Sequence, residues 1–370
     1  MRIPRIIGFS CDCPDGTEGF AAKIEGVWYH GGPGGNDQPR YDEGGDPLSA
    51  EGIFSEQETR RLHRKIIAVA EGVGRVVIGK RGAVEAGLIC LLARGHLLIE
   101  DVPGVGKTLL AKSLARALGL RCMRVQFTPD LLPADITGTS IFNPASGTFE
   151  FKPGPVFTDL LLADEINRAT PRTQSSLLES MGENQVSIDG VTHPLSPTFF
   201  VIATQNSIEA HGTYPLPEAQ LDRFMMRIDI GYPSPGQEVE ILTAQIREEP
   251  LERLEAAIEP REILEVREQV RSVHLARSIL SYIVEIVGRT RAHPELLQGV
   301  SPRGALALMQ SAQALAFLSG RDYVTPRHIK RLAVPVLAHR VILRPEARVA
   351  ERTAQRVIEE IVEGVAVPTL

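Results

Sequence analysis

The sequence is poor in cysteine, with only Cys11, Cys13, Cys90 and Cys122 among 370 residues. Their spacing makes no disulfide framework, which excludes the stapled small domain of secreted chains and points to a reducing compartment, the cytoplasm. "CDC" at 11–13 supplies two thiols where zinc wants four ligands, and His30 is the one nearby candidate, so a solvated tail outweighs half a metal site. No apolar run has the length of a membrane span. The opening "MRIPRIIGFSCDCPDG" has no apolar region leading to a small-residue cleavage site, so a signal peptide is not expected. Excess positive charge is missing as well: 40 basic and 46 acidic residues give 40 − 46 = −6. That balance disfavours a chain that coats nucleic acid. No repeat of fixed period runs through the chain.

What remains is ordinary globular composition, 43% hydrophobic and 23% charged. The length exceeds one small core and implies two domains with an extension. Residues 1–54 read as a disordered N-terminal extension, because "HGGPGGNDQPRYDEGGDP" (30–47) cannot supply a core. A helix is expected from Ser55, with acids in its first turn and Leu62, Ile66, Ile67 and Ala70 on one face. A second helical stretch, "RGAVEAGLICLLARG", stops at Gly95.

From there short apolar runs alternate with helical ones. "HLLIE" (96–100), "MRVQF" (123–127), "DLLLADE" (159–165), "TFFVIAT" (198–204) and "MMRIDI" (225–230) read as strands covered on both faces. The alternation predicts an α/β core with a parallel sheet over 55–235. Two hairpins interrupt it, around "NPASG" (143–147) and around Asp189-Gly190. Residues 236–370 read as an all-helical domain, with helices near 237–247, 260–272, 275–290, 303–318, 326–338 and 346–363.

Four motifs carry chemistry. "DVPGVGKT" (101–108) matches the phosphate-loop pattern G-x-x-x-x-G-K-[ST] except that Asp101 stands at the first glycine. Gly104 and Gly106 let the backbone approach phosphates, Lys107 supplies charge, and the Thr108 hydroxyl suits Mg²⁺. Asp101 lies before the part that wraps the phosphates and reads as the most expendable of the four positions. Pro103, Gly104, Val105, Gly106, Lys107, Thr108 and Leu109 form the expected ATP-binding set. "LLLADE" ends an apolar strand in two acids: Asp164 to hold Mg²⁺ and Glu165 to polarise the attacking water. In "VIATQN", Asn206 stands where an α/β sheet meets its ligand, or is a turn-forming Asn. In "QLDRF", Arg223 either pairs with Asp222 or Glu218 or reaches a neighbour's ATP as an arginine finger. Arg303 in "SPRG" is a second candidate, because a cation early in a helix gains nothing from the dipole.

These stretches, with "QFTPDLLPADITG", "GPVFTDLLLADEINRATPRTQSSLLESMGENQVSIDG", "LPEAQLDRF" and "SPRGALAL", occur in one order over about residues 56–365. In that order they resemble the MoxR family of AAA+ ATPases. The resemblance implies an αβα P-loop core with a five-stranded parallel sheet in order 5-1-4-3-2 and a helical lid. It implies Lys107 and Thr108 as Walker A, Asp164 and Glu165 as Walker B, Asn206 as sensor 1, Arg223 as arginine finger and Arg303 as sensor 2. The two hairpins fall where this clade carries its helix-2 insert and its pre-sensor-1 hairpin. The resemblance further implies ATP and Mg²⁺, a ring of copies of the chain, most often a hexamer, and a chaperone-like role. The partners it implies are a von Willebrand factor A-domain protein and a client complex, often a maturing metalloenzyme. The chain departs from the resemblance at residues 1–50 and at Lys80, where Gln is usual. A nucleic-acid motor is the competing reading, disfavoured by the acidic balance.

Overall fold

The structure, a computed structural model, describes residues 7–12, 18–24, 27–31, 55–206, 213–246 and 249–368. Two units separate between Glu51 and Gly52. In the first, the strands Ile7–Asp12, Glu18–Ile24 and Val27–Gly31 pair in order as an antiparallel meander. These strands are the described part of the extension expected over residues 1–54, and Val27, Trp28 and Tyr29 are strand formers. The rest of that expectation, including 32–54, lies outside the described residues.

The second unit opens with α1 (Glu56–Val76), started by a capping box in which Ser55 and Glu58 exchange hydrogen bonds. Its buried stripe is Leu62, Ile66, Val69, Val73 and Val76; Ile67 and Ala70, expected on that face, are only half-buried. α2 (Arg81–Leu92) follows and is buried along most of its length. Then comes the sheet: β1 (Leu97–Glu100), β2 (Cys122–Gln126), β3 (Leu160–Asp164), β4 (Phe200–Gln205) and β5 (Met226–Ile228). All neighbours are parallel, in the order β5-β1-β4-β3-β2. β1, β3 and β4 are buried on both faces, which is why they read as unbroken apolar runs. β2 is one of the two edge strands and exposes Met123, so covering on both faces does not hold for it.

The α/β crossovers put α3 (Lys107–Ala117) after β1 and α4 (Pro171–Glu183) after β3. Leu110, Leu114, Ala117 and Leu118 are buried, as their spacing predicts. Both hairpins are present. One pairs Gly138–Asn143 with Thr148–Pro153; the other pairs Gln185–Ile188 with Val191–Pro194. Asp189 and Gly190 both have positive φ (50° and 79°), the condition for a two-residue hairpin turn.

Beyond β5 run α5 (Pro235–Gln245), α6 (Pro260–Arg271), α7 (Arg277–Ala292), α8 (Pro302–Leu318), α9 (Pro326–Leu337) and α10 (Ala354–Gly364). One expected helix, 346–363, is broken into Pro345–Val349 and α10. Glu351 sits at φ 56° between them, and Thr353 starts the second piece by accepting from Arg356 N. A short antiparallel pair, Leu296–Gln298 with Ile342–Leu343, also interrupts the helical region. The helical region shares its core with the α/β part: one buried cluster runs from Leu62 on α1 through α2 and α3 to Ile361 on α10. α6 packs back on the front of the chain, where Lys65 Nζ donates to Glu262 at 2.6 Å and Arg267 Nε donates to the Leu91 carbonyl at 2.9 Å.

Candidate functional site

β1 delivers the chain to a tight loop, and α3 begins at Lys107. Gly104 and Gly106 take φ of +85° and +94°, a region that side chains disfavour. Nothing lies within 4 Å of the position a Cβ would take at either, so the loop is open on that side. Gly106 caps α3 without a side chain, which leaves the first N–H groups of the helix free of any side-chain acceptor at the cap. A helix start of this kind fits a phosphate. Pro103 and Gly104 are exposed, Val105 is buried, and Lys107, Thr108 and Leu109 are half-buried.

Lys107 Nζ donates to the carbonyls of Asp101 (2.5 Å) and Gln205 (3.1 Å), bridging the ends of β1 and β4. Burial pulls its pKa below the usual lysine range, against the opposing charges of Asp101, Asp164, Glu165 and Glu100. The lysine and the acid pair of β3 therefore share one electrostatic neighbourhood.

Asp164 ends β3. Its Oδ1 accepts from Thr204 Oγ1 at 2.6 Å, and its Oδ2 accepts from Arg124 Nη2 (2.6 Å) and Nε (3.0 Å). Glu165 follows at φ 58°, a strained conformation for a non-glycine residue. Its N–H donates to Thr204 Oγ1 at 2.8 Å. Its Oε2 accepts from Gln126 Nε2 at 2.6 Å and pairs with Arg168 Nε at 3.1 Å. Arg124, Gln126, Thr204 and Arg168 escaped the sequence reading. Gln126 faces Asp164 directly in the β2–β3 register, a relation visible only once the strands are paired. The signal for Arg124 and Gln126 was two polar residues at i and i+2 in an otherwise apolar run.

Asn206, at the end of β4, is buried. Arg223 is half-buried and donates from Nη1 to the Leu178 carbonyl of α4 at 2.5 Å. Asp222, one of the two carboxylates expected to pair with it, belongs instead to Arg340, whose Nε donates to Asp222 Oδ1 at 2.7 Å. Arg340 is buried and also donates to the carbonyls of Phe224 (2.7 Å) and Met225 (3.1 Å), tying the helical region to the entry of β5. Arg303 is exposed in the first turn of α8, and its charge is among those that depress the pKa of Arg340 and His96.

Asp101 does more in the fold than its place outside the phosphate wrap implies. The position read as expendable, yet Asp101 is buried and accepts three backbone N–H groups. Val102 N reaches Oδ1 at 2.7 Å, and Ile230 N and Gly231 N reach Oδ2 at 2.6 and 2.5 Å. Burial raises its pKa, but those hydrogen bonds and the charge of Lys107 outweigh it and hold the carboxyl below its usual range. Through Ile230 the loop adjoins a cleft of about 340 Å³, lined by Gly79, Lys80, Ile89, Ile228, Leu332 and Pro335 among others.

The fit to a nucleotide and Mg²⁺ rests on these features: an open loop at a helix start, a lysine between two strand ends, and a carboxylate beside it. Mg²⁺ is commonly held by one or two carboxylates together with phosphates, not by an all-protein cage. Among the described residues, no cluster of three or more His, Cys, Asp or Glu forms such a cage. No described helix is long and apolar enough to cross a membrane.

A parallel sheet in this order, with the loop after β1 and the acid pair after β3, defines a P-loop ATPase of the AAA type. The comparisons agree. Residues 96–226 match the ATPase family associated with various cellular activities, and residues 288–361 match the AAA lid domain. The chain is 49% identical over 307 residues to Bacillus subtilis YeaC, covering 83% of this chain and 96% of that one. It is 40% identical over 331 residues to the Mycobacterium tuberculosis chaperone MoxR1, covering 87% and 86%. A crystal structure from Cytophaga hutchinsonii, assigned as an ATPase, superposes with a TM-score of 0.79 at 40% identity over 85% of this chain and 98% of that one. The chain belongs to the MoxR family of AAA+ ATPases.

Proposed function

We propose that this chain hydrolyses ATP with Mg²⁺ at a site completed between copies in a ring, and uses the turnover to remodel protein complexes. The observation that carries the reading is that Lys107, at the open start of α3, bonds the Gln205 carbonyl next to Thr204, whose hydroxyl bonds both Asp164 and Glu165. In this reading the N–H groups at that start and Lys107 Nζ bind the phosphates. Thr108 and Asp164 hold Mg²⁺, which when bound neutralises phosphate charge. Glu165 orients the attacking water, and Gln126 and Arg168 set the direction of its carboxylate. Thr204 keeps Asp164 and Glu165 in register through one hydroxyl. Asn206 contacts the γ-phosphate or the water. Arg223 serves a neighbour's ATP, a role worth about 10³ to 10⁵ in rate in related enzymes. Arg303 acts from the helical region as the second sensor. The cleft along Lys80 and Ile228 takes the base end of the nucleotide.

Two surfaces support assembly and a client. α5 buries none of its residues within the chain and exposes Val239 and Leu242. The first hairpin exposes Phe142 and Phe149, their rings 5.3 Å apart. His193 of the second hairpin stacks on Phe151 of the first at 4.1 Å, so the two inserts are in contact. The relative named a chaperone supports a protein client, and a von Willebrand factor A-domain protein with a maturing complex is the partner we propose. The cytoplasm is the proposed location.

The test begins with nucleotide binding. Lys107→Ala should abolish it, and retained tight binding would refute the loop assignment. Glu165→Gln should bind ATP without hydrolysing it. Tagged Glu165→Gln protein, loaded with ATP in a nuclease-treated lysate, should then retain a protein complex; recovery of nucleic-acid machinery lost on nuclease treatment would favour the motor reading.

A further inference from the structure

Where the chain leaves β5, two side chains from distant parts of the sequence hold all four backbone polar groups of one dipeptide. Ile230 and Gly231 donate their N–H groups to Asp101 Oδ2 at 2.6 and 2.5 Å. Their carbonyls accept from Lys80 Nζ at 3.1 and 2.8 Å. The anion takes the amides and the cation takes the carbonyls, so each side of the turn is held by a charge-assisted bond. Gly231 has φ of +68°, which marks a real turn at this point. Asp101 and Lys80 are also the two positions that stood out in the sequence, one in the place of the loop's first glycine and one in the place of a glutamine.

The rest of Asp101 is committed to the phosphate loop. Its N–H donates to the Gln205 carbonyl at 3.1 Å, and its own carbonyl accepts from Lys107 Nζ at 2.5 Å. One residue thus joins Lys107, the end of β4 and the exit of β5. Lys80 and Ile230, on the other side of the grip, line the 340 Å³ cleft together with Gly79, Ile228 and Asp229. The side chain of Gln237, in the first turn of α5, lies against Gly79.

We infer that Asp101 and Lys80 are a pair of positioning residues that lock the Ile230–Gly231 turn, and with it one wall of the cleft, at a fixed offset from the phosphate loop. This rests on the reading of loop and cleft as one nucleotide site. Neither residue touches a reacting atom. Their effect is to let one ligand engage both ends of the site at once. When two subsites are held at a fixed distance, binding at the second costs little further ordering. Released from each other, the subsites bind as separate, weaker ones.

The experiment compares two probes on the full chain by calorimetry: ADP, which spans both subsites, and inorganic tripolyphosphate, which engages the loop alone. The unmodified chain and Lys107→Ala are read first. An unmodified chain that binds neither probe, or Lys107→Ala that binds both normally, overturns the nucleotide-site reading and the clamp with it. With that reading standing, Asp101→Gly and Lys80→Ala should each lose about tenfold in ADP affinity, the scale of a lost charge-assisted bond. Both should bind tripolyphosphate nearly as the unmodified chain does. The double variant should lose little more than either single one, because the two residues hold the same dipeptide. Lys80→Gln keeps a donor for the carbonyls and should restore ADP affinity. Equal losses for the two probes would assign Asp101 to the loop alone and overturn the clamp. So would unchanged ADP binding, or Lys80→Gln behaving like Lys80→Ala. Lys80 is half-exposed, so its variants carry the test if Asp101→Gly does not fold.

Discussion

His96 should make this protein sensitive to mild acid. The imidazole sits just before β1, buried, stacked on Phe200 and edge-on to Phe199. Its Nδ1 accepts the N–H of Val201 at 3.0 Å, so Nε2 carries the proton and donates to the Met181 carbonyl at 3.3 Å. Burial is the main cause that lowers its pKa from 6.5 to about 4; the charges of Arg267 and Arg303 act the same way, and the Met181 bond opposes them. Between those two pKa values the unfolded chain binds the proton and the folded chain does not. Stability therefore rises with pH across that window and is lost as pH falls from about 6.5 toward 4. Linkage puts the loss from this one ring at about 2 kcal/mol at pH 5 and about 3 kcal/mol at pH 4. His339 and His328, also held below the usual histidine range by burial, add to the same slope. The assay is urea unfolding of unmodified protein and His96→Gln from pH 7.5 to pH 4.5. Gln can accept from Val201 and donate to Met181 but cannot be protonated, so its curve should be flatter by His96's share. The same pH dependence in both proteins would refute the reasoning, whatever the substitution costs at neutral pH.

Other outcomes are expected from the same contacts. Arg340→Met leaves Asp222 without its charge partner and the Met225 carbonyl without the guanidinium donor, while the Phe224 carbonyl keeps only His339 Nε2; it should destabilise by about 3 to 5 kcal/mol, read as a large fall in melting temperature. An unchanged melting point would remove Arg340 as the tie between the helical region and β5. Thr204→Val keeps the volume but deletes the hydroxyl that serves both Asp164 and Glu165, so kcat should fall about tenfold or more with nucleotide affinity little changed. Normal turnover would show that the hydroxyl does not align the pair. Glu165→Gln should retain ATP and turn over none of it, and ordinary turnover would take Glu165 out of the proposed role.

Much of this fold can be read from local chemistry, and the parts that cannot share a cause. The buried strands β1, β3 and β4 announce themselves as apolar runs, and Asp189-Gly190 announces its hairpin, because each depends on neighbours in sequence. The capping box at Ser55 and the lid helices follow from the same kind of signal. The edge position of β2 depends on pairing, so "MRVQF" looked like an interior strand. The break at Glu351 depends on one left-handed residue that no glycine marks. In the site, Lys107, Asp164 and Glu165 stand in short motifs and are legible. The residues that orient them are not. Arg124 meets Asp164 across two strands, Thr204 reaches the acids from β4, and Arg340 meets Asp222 from far along the chain. The part Asp101 plays is hidden for the same reason: two of its partners, Ile230 and Gly231, follow the last strand of the sheet, far along the chain.

The central claim is an ATP site that needs a second copy of the chain, and mixing two inactive variants tests it most directly. Arg223→Ala keeps Lys107 and the acid pair but lacks the arginine offered to a neighbour. Lys107→Ala keeps Arg223 but cannot bind nucleotide at its own loop. Phosphate release is measured for each alone and for mixtures across a range of ratios. The account predicts near-zero rates for each alone and a recovered rate in the mixtures, peaking at intermediate ratios, because Lys107→Ala subunits lend Arg223 to intact loops. Full activity of Arg223→Ala alone, or no recovery at any ratio, would contradict it.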